Sequence, residues 1–302
     1  MPRSSSEPTT GRASTGAALI LVGAVAYGLL STVIRIAYGR GFSPSQVVGA
    51  QMAFGCVGLW LLALGLRALR PIGARATAAL LVSGIPIGLT GALYYGAVHA
   101  LGSASLAIVL LFQFTWMGVL VDAALARRAP TADAYVSLVL LLVGTVLATG
   151  VLEGRLGTVP MRGLALGVGS AVSYTAVIFA SGRVEPTVDA WHRSALLGTG
   201  SMLAAFVLHP PTFLVDGSLT RGLLGPSLAT ALLGPIVPTV CFAIGVPRIG
   251  PAAASVVGAA ELPAAMIAAR LVLDEPISGL EWLGMLVIVV GIAWPRWRAA
   301  RA

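Results

Sequence analysis

One carboxylate sits where water should be scarce. Glu261 lies at the centre of an apolar run, in Ala259-Ala260-Glu261-Leu262-Pro263. A charged acid at the middle of a hydrocarbon layer costs about 2.5–3.5 kcal/mol on an insertion scale, so it is expected to face a protein interior or a wet cavity. There it can bind a proton, a cation or the amine of a substrate; otherwise it is a protonated, hydrogen-bonded structural residue. A shift of 148 residues sets Gln113, at the centre of another apolar run, opposite Glu261. Gln113 can exchange hydrogen bonds with a substrate or simply join two helices. Tyr27 and Tyr174 form a second pair, 147 residues apart. Each can offer a ring and a hydroxyl to a cavity, or pack with one hydrogen bond. Tyr94, and after it Tyr95 and Trp116, are further candidates for a cavity wall. Glu261, Gln113, Tyr27, Tyr174 and Tyr94 are thus the expected substrate-binding residues.

No catalytic set accompanies them. The three histidines, His99, His192 and His209, stand without an HExxH pattern or an acid-rich cluster, and no Gly-rich loop ends in Lys-Ser or Lys-Thr. Neither a metal nor any other cofactor is therefore expected, nor is nucleotide hydrolysis.

These residues must be carried by elements made for lipid. The chain has 302 residues, 57% hydrophobic and only 10% charged, with a mean hydropathy of +0.93. A soluble domain needs about 25% charged residues to keep its surface wet. Cys56 and Cys241, the only cysteines, lie in apolar runs, which excludes a disulfide scaffold. All 19 basic residues are arginines scattered singly, so the net charge of +8 does not form a nucleic-acid-binding stripe.

A spanning helix needs about 20 mainly apolar residues. That length predicts an all-α integral membrane protein with ten spans, at roughly 16–37, 45–65, 76–98, 103–124, 133–151, 162–181, 191–209, 227–247, 251–272 and 279–295. Residues 1–15 read as a disordered cytoplasmic tail and 296–302 as a basic one. The apolar run of the first span continues past Ala24-Val25-Ala26, which argues against a cleaved signal peptide. With the N-terminus inside, 13 arginines fall on the cytoplasmic side and 6 on the other, so both termini are expected in the cytoplasm. Arg35, Asp122 and Arg270 lie near span ends, where snorkelling or surface pairing is the expectation.

The shifts that pair the polar residues also pair whole segments. An offset of 147 places Gly16-Ala17-Ala18-Leu19 over Gly163-Leu164-Ala165-Leu166, and Gly144 over Gly291. A five-helix unit used twice, at 16–151 and 162–295, must enter the membrane inverted the second time. Inverted repeats are a common architecture of secondary transporters, with the substrate near the midplane between the halves.

Ten spans, the doubled unit, and the stretch from Ala260-Glu261-Leu262-Pro263 to Leu273-Asp274-Glu275-Pro276, followed by Gly284 and Gly291, resemble the EamA-type members of the drug/metabolite transporter superfamily. The likeness spans residues 16–295. Leu262 separates Glu261 from Pro263, and Arg127-Arg128 stands where that family often carries an acid. The resemblance implies a central cavity holding Tyr27, Tyr94, Gln113, Tyr174 and Glu261. It also implies a transporter rather than an enzyme. The expected activity is export of a small metabolite, such as an amino acid or related amine, across the cytoplasmic membrane, with a proton as a coupling candidate. The competing readings are a membrane-embedded lipid- or isoprenoid-processing enzyme, which would need more converging acids, and a non-transporting scaffold, which would have a closed apolar centre.

Overall fold

The computed structural model describes residues 9–101, 104–148, 152, 160–180, 183–274 and 277–299, and within them every regular element is helical. The first half contains α1 (Thr9–Gly39), α2 (Pro44–Gly65), α3 (Ala74–Leu101), α4 (Ala104–Leu111), α5 (Phe114–Leu125) and α6 (Ala132–Ala148). The second contains α7 (Met161–Ala180), α8 (Ala190–Leu208), α9 (Leu224–Ala231), α10 (Val237–Ile249), α11 (Pro251–Gly258), α12 (Glu261–Leu273) and α13 (Gly279–Ala299). Six continuous stretches are long and apolar enough to cross a membrane: Ala13–Gly39, Pro44–Gly65, Ala74–Ala97, Met161–Ala180, Leu219–Ile249 and Pro251–Leu273. Shorter apolar helices cover Phe114–Leu125, Ala132–Ala148 and Gly279–Pro295. The chain is a multi-pass membrane protein. Helix α1 begins at Thr9, inside the segment expected as a tail. Residues 1–8 and 300–302 lie outside the described residues, as do Glu275 and Pro276 of the quoted motif.

Local sequence explains where helices start. Ser43 accepts from the Gln46 amide while its own amide donates to the Gln46 side chain, a reciprocal cap on α2. Ser278 and Glu281 repeat that arrangement at α13. Asp189 caps α8 through the Trp191 amide. Thr131 accepts from the Ala134 amide at the start of α6.

Two helices are broken in mid-course. Between α11 and α12 the chain tightens at Ala259–Ala260, where the Ala259 amide donates to Val256 O and the Ala260 amide to Val257 O. Pro263 has no amide hydrogen to return to Ala259, so a regular ladder cannot pass this point. Between α4 and α5 the same tightening occurs at Phe112–Gln113 without a proline, and there the Thr115 hydroxyl donates to Phe112 O at 2.9 Å. The long stretch Leu219–Ile249 carries a wide turn at Leu232–Ile236 around Pro235.

The halves interlock rather than sit side by side. Helix α1 packs on α10 and α12, α3 on α7 and α8, α2 on α8 and α9, and α6 on α13. The core runs through the middle of this weave. Phe112, Phe114, Ile20, Leu141, Ile178 and Ile288 are fully buried there.

Candidate functional site

Helix α1 presents one stripe, Tyr27, Leu30, Ser31, Ile34, Arg35 and Tyr38, to a cavity of about 400 Å³. Those spacings of three and four residues put successive side chains above one another on one helix face. Gln51 and Met52 of α2 and Thr90, Tyr94 and Tyr95 of α3 form further wall. Helices α4 and α7 add Leu111, Tyr174 and Val177, the turn at Pro235 adds Gly234 and Pro235, and α12 adds Glu261 and Ala265. Five of the chain's six tyrosines therefore line one space.

Its floor is aromatic. The Tyr27 and Tyr174 rings meet edge to face at 5.9 Å between centroids, and Phe114 meets Tyr174 at 4.6 Å. Phe242 closes the cluster, 6.1 Å from Tyr27 and 6.5 Å from Tyr174. Edge-to-face contacts of this kind add about 0.5–1.5 kcal/mol beyond area burial.

Glu261 is set beside this floor by the helix break. Gly28 of α1 packs directly on it: a Cβ there would lie 2.6 Å from Glu261 O, so only glycine lets α1 approach the start of α12. The carboxylate lies beside the Tyr174 hydroxyl. Yet Glu261 Oε2 and the Tyr174 hydroxyl oxygen are each buried without a hydrogen-bond partner of standard geometry among the described residues. Gln51 Oε1 is another such acceptor, on a side chain 3% exposed. Buried polar atoms are nearly always paired, so an unpaired cluster beside a cavity is a place for a ligand or water.

Of the residues expected at a site, Tyr27, Tyr94, Tyr174 and Glu261 share this cavity. Gln113 is not among its lining residues; its Oε1 accepts from Trp116 Nε1 at 2.7 Å, one turn along. Asp122 is ion-paired with Arg183 at 3.2 Å and with Arg128 at 3.9 Å at the surface. Arg270 donates to Asp274 O at 3.4 Å on an exposed turn. Arg35, expected to snorkel, contributes to the cavity wall instead, and Tyr38 and Gln51 were not singled out at all. The signal for Arg35 and Tyr38 lay in the stripe Tyr27-Ser31-Arg35-Tyr38, which places four polar groups on one face of an otherwise apolar helix.

Residues 161–295 match the EamA-like transporter family. The resemblance carried by the motif around Glu261 and by Gly284 and Gly291 is thereby borne out over the second half of the chain. A transporter family of this kind implies a small-molecule substrate and a membrane setting. A search of curated proteins found no match. A solved structure titled only "Crystal structure of protein" has a similar fold, with a TM-score of 0.74 and 21% identity, covering 94% of this chain and 98% of that one.

Proposed function

We propose that the protein is a secondary transporter of the cytoplasmic membrane that exports small metabolites, such as amino acids or related amines, by alternating access. Two five-helix units, 16–151 and 162–295, enter the bilayer in opposite senses in this reading, giving ten spans with both termini inside. The matching breaks at Phe112–Gln113 and Ala259–Ala260 support it, since they fall 147 residues apart at corresponding places in the two units. So does the edge contact between Tyr27 and Tyr174, which the same offset pairs.

The observation that carries the proposal is Glu261 on the wall of a cavity of about 400 Å³, with its Oε2 buried and claimed by no protein donor among the described residues. A scaffold has no use for such a space. A transporter does, because a group that trades hydrogen bonds with a bound substrate must keep an oxygen that no protein donor claims. Glu261 takes the substrate's positive group or a coupling proton, and Tyr27, Tyr94 and Tyr174 form the wall. Alternation requires the floor of Tyr27, Tyr174, Phe114 and Phe242 to part, and the turn at Leu232–Ile236 is a natural flexing point, because wide turns around proline relax the helix ladder.

Flux of amino acids and alkylamines in proteoliposomes under an imposed pH gradient tests this. Glu261→Gln is expected to abolish flux and its response to the gradient while the purified protein stays folded. Unchanged flux and pH dependence would remove Glu261 from the mechanism.

A further inference from the structure

The cavity has two chemically different ends. At one end are hydrogen-bond acceptors that lack donors. Glu261 Oε2 and Gln51 Oε1 are both buried without partners among the described residues. Their level along α1 is fixed by packing: Gly28 abuts Glu261 O, and Gln51 Nε2 meets Gly234, which itself contacts Leu30. At the other end are donors. Arg35 lines the cavity two turns beyond Gly28, and Tyr38, one turn further, has a buried hydroxyl without a partner. Seven residues of α-helix separate the two levels by about 10 Å. Between the two ends the wall is tyrosine rings, aliphatic side chains, and Ser31 and Thr90, whose hydroxyls donate to their own helix backbones.

A ligand matched to this space offers N–H donors at one end, an apolar chain in the middle and an anion at the other. An α-amino acid cannot do so, because its ammonium and carboxylate share one carbon and cannot touch both ends together. We infer that the cavity selects an elongated zwitterion, with its amine held by Glu261 and Gln51 and its carboxylate or other anionic group held by Arg35 and Tyr38. This rests on the amine-binding role proposed for Glu261 and adds Arg35 as the residue that sets specificity. The guanidinium suits the task because it presents several donors in a fixed planar fork that matches a carboxylate.

Two isomers make the test. 6-Aminohexanoate and norleucine have the same composition and differ only in where the amine sits, while n-hexylamine has the amine and chain without the anion. Binding is read from thermal stabilisation of the detergent-purified full chain across a ligand titration, since stabilisation grows with the logarithm of ligand concentration over Kd. The expected result is that 6-aminohexanoate binds about tenfold more tightly than either norleucine or n-hexylamine. Arg35→Gln should bring 6-aminohexanoate down to the level of n-hexylamine and leave n-hexylamine itself unchanged, while Arg35→Lys keeps part of the preference. If Arg35→Gln does not fold, Tyr38→Phe carries the same comparison. Equal binding of the two isomers, or a preference for 6-aminohexanoate that survives Arg35→Gln, overturns the inference. The amine role is read separately: n-hexylamine that binds wild type and not Glu261→Gln supports it whatever the isomers do. n-Hexylamine that binds neither protein, or both equally, sinks that role and this inference with it.

Discussion

At the scale of single residues, Tyr174 and Phe114 pack ring against ring, yet the hydroxyl of the one and the ring of the other do different work. The hydroxyl is buried beside Glu261 without a well-formed hydrogen bond, whereas Phe114 is fully buried and packs its ring on Tyr174. Removing a polar group that has no partner is nearly neutral for stability. Tyr174→Phe should therefore change unfolding stability by less than about 1 kcal/mol while lowering flux, because it alters the surroundings of Glu261. Phe114→Ala should cost about 3–5 kcal/mol, the usual result of emptying a large core site. Thermal unfolding in detergent, paired with flux, separates the two; a large stability loss in Tyr174→Phe would show the hydroxyl to be structural. Such residues were legible in the sequence because a polar group in the middle of an apolar run needs a reason. Gln113 met that test and yet spends its carbonyl oxygen on Trp116, a neighbour three residues away that the run itself supplies. Arg35 failed it because it stands near the end of a run, where a long side chain usually escapes to water.

At the scale of elements, helix contacts are set by where side chains are missing. A Cβ at Gly200 of α8 would collide with the carbonyl oxygen of Leu81 on α3, and Gly84 and Gly88 of α3 face the backbone of α8 in the same way. Without a hydrophobic drive between helices in lipid, such close backbone approach is the main source of association. Gly200→Ala should destabilise the protein by about 1–3 kcal/mol through overpacking. Gly225→Ala, on α9 where a Cβ would meet nothing within 4 Å, should be neutral or gain up to about 1 kcal/mol from helix propensity. Chemical or thermal denaturation of both variants side by side checks this, and equal effects would rule out the α3–α8 contact as a tight spot. Helix positions were readable from apolar run length, and the Ala259–Ala260 break could be anticipated from Pro263. The Phe112–Gln113 break could not, because no proline marks it and the Thr115 hydroxyl that stabilises it is common in unbroken helices too.

Across the whole molecule, the segment between α8 and α9 is folded back as a strap over the start of α2. Phe213 is 2% exposed, lodged against Gly49 and next to Phe54. Ser45 Oγ lies 3.2 Å from His209 Nδ1, and Gln46 Nε2 donates to Asp216 Oδ2 at 2.6 Å. The Gln46 and Ser218 hydrogen bonds hold the Asp216 carboxyl below its ordinary 3.8. A lowered value in the folded state means that the contribution is complete above the ordinary value and fades as pH falls through the lowered one. Hydrogen exchange or proteolysis of residues 209–223 should therefore show a step in strong acid, below about 4, as Asp216 takes up its proton. Asp216→Ala should loosen the strap at neutral pH and erase the acid step; a step below about 4 that persists in that variant assigns it to another group.

Helices α6 and α13 stand apart in the same weave. They pack chiefly on each other, joined by Ser137 Oγ donating to Gly291 O at 2.9 Å and by Trp294 Nε1 donating to Asp133 at 3.1 Å. Val139, Val143, Leu286 and Val290 on their outer faces remain uncovered by protein. If the cavity-forming helices tilt as proposed, this duo can serve as a stationary keel, since little else in the molecule is built against it.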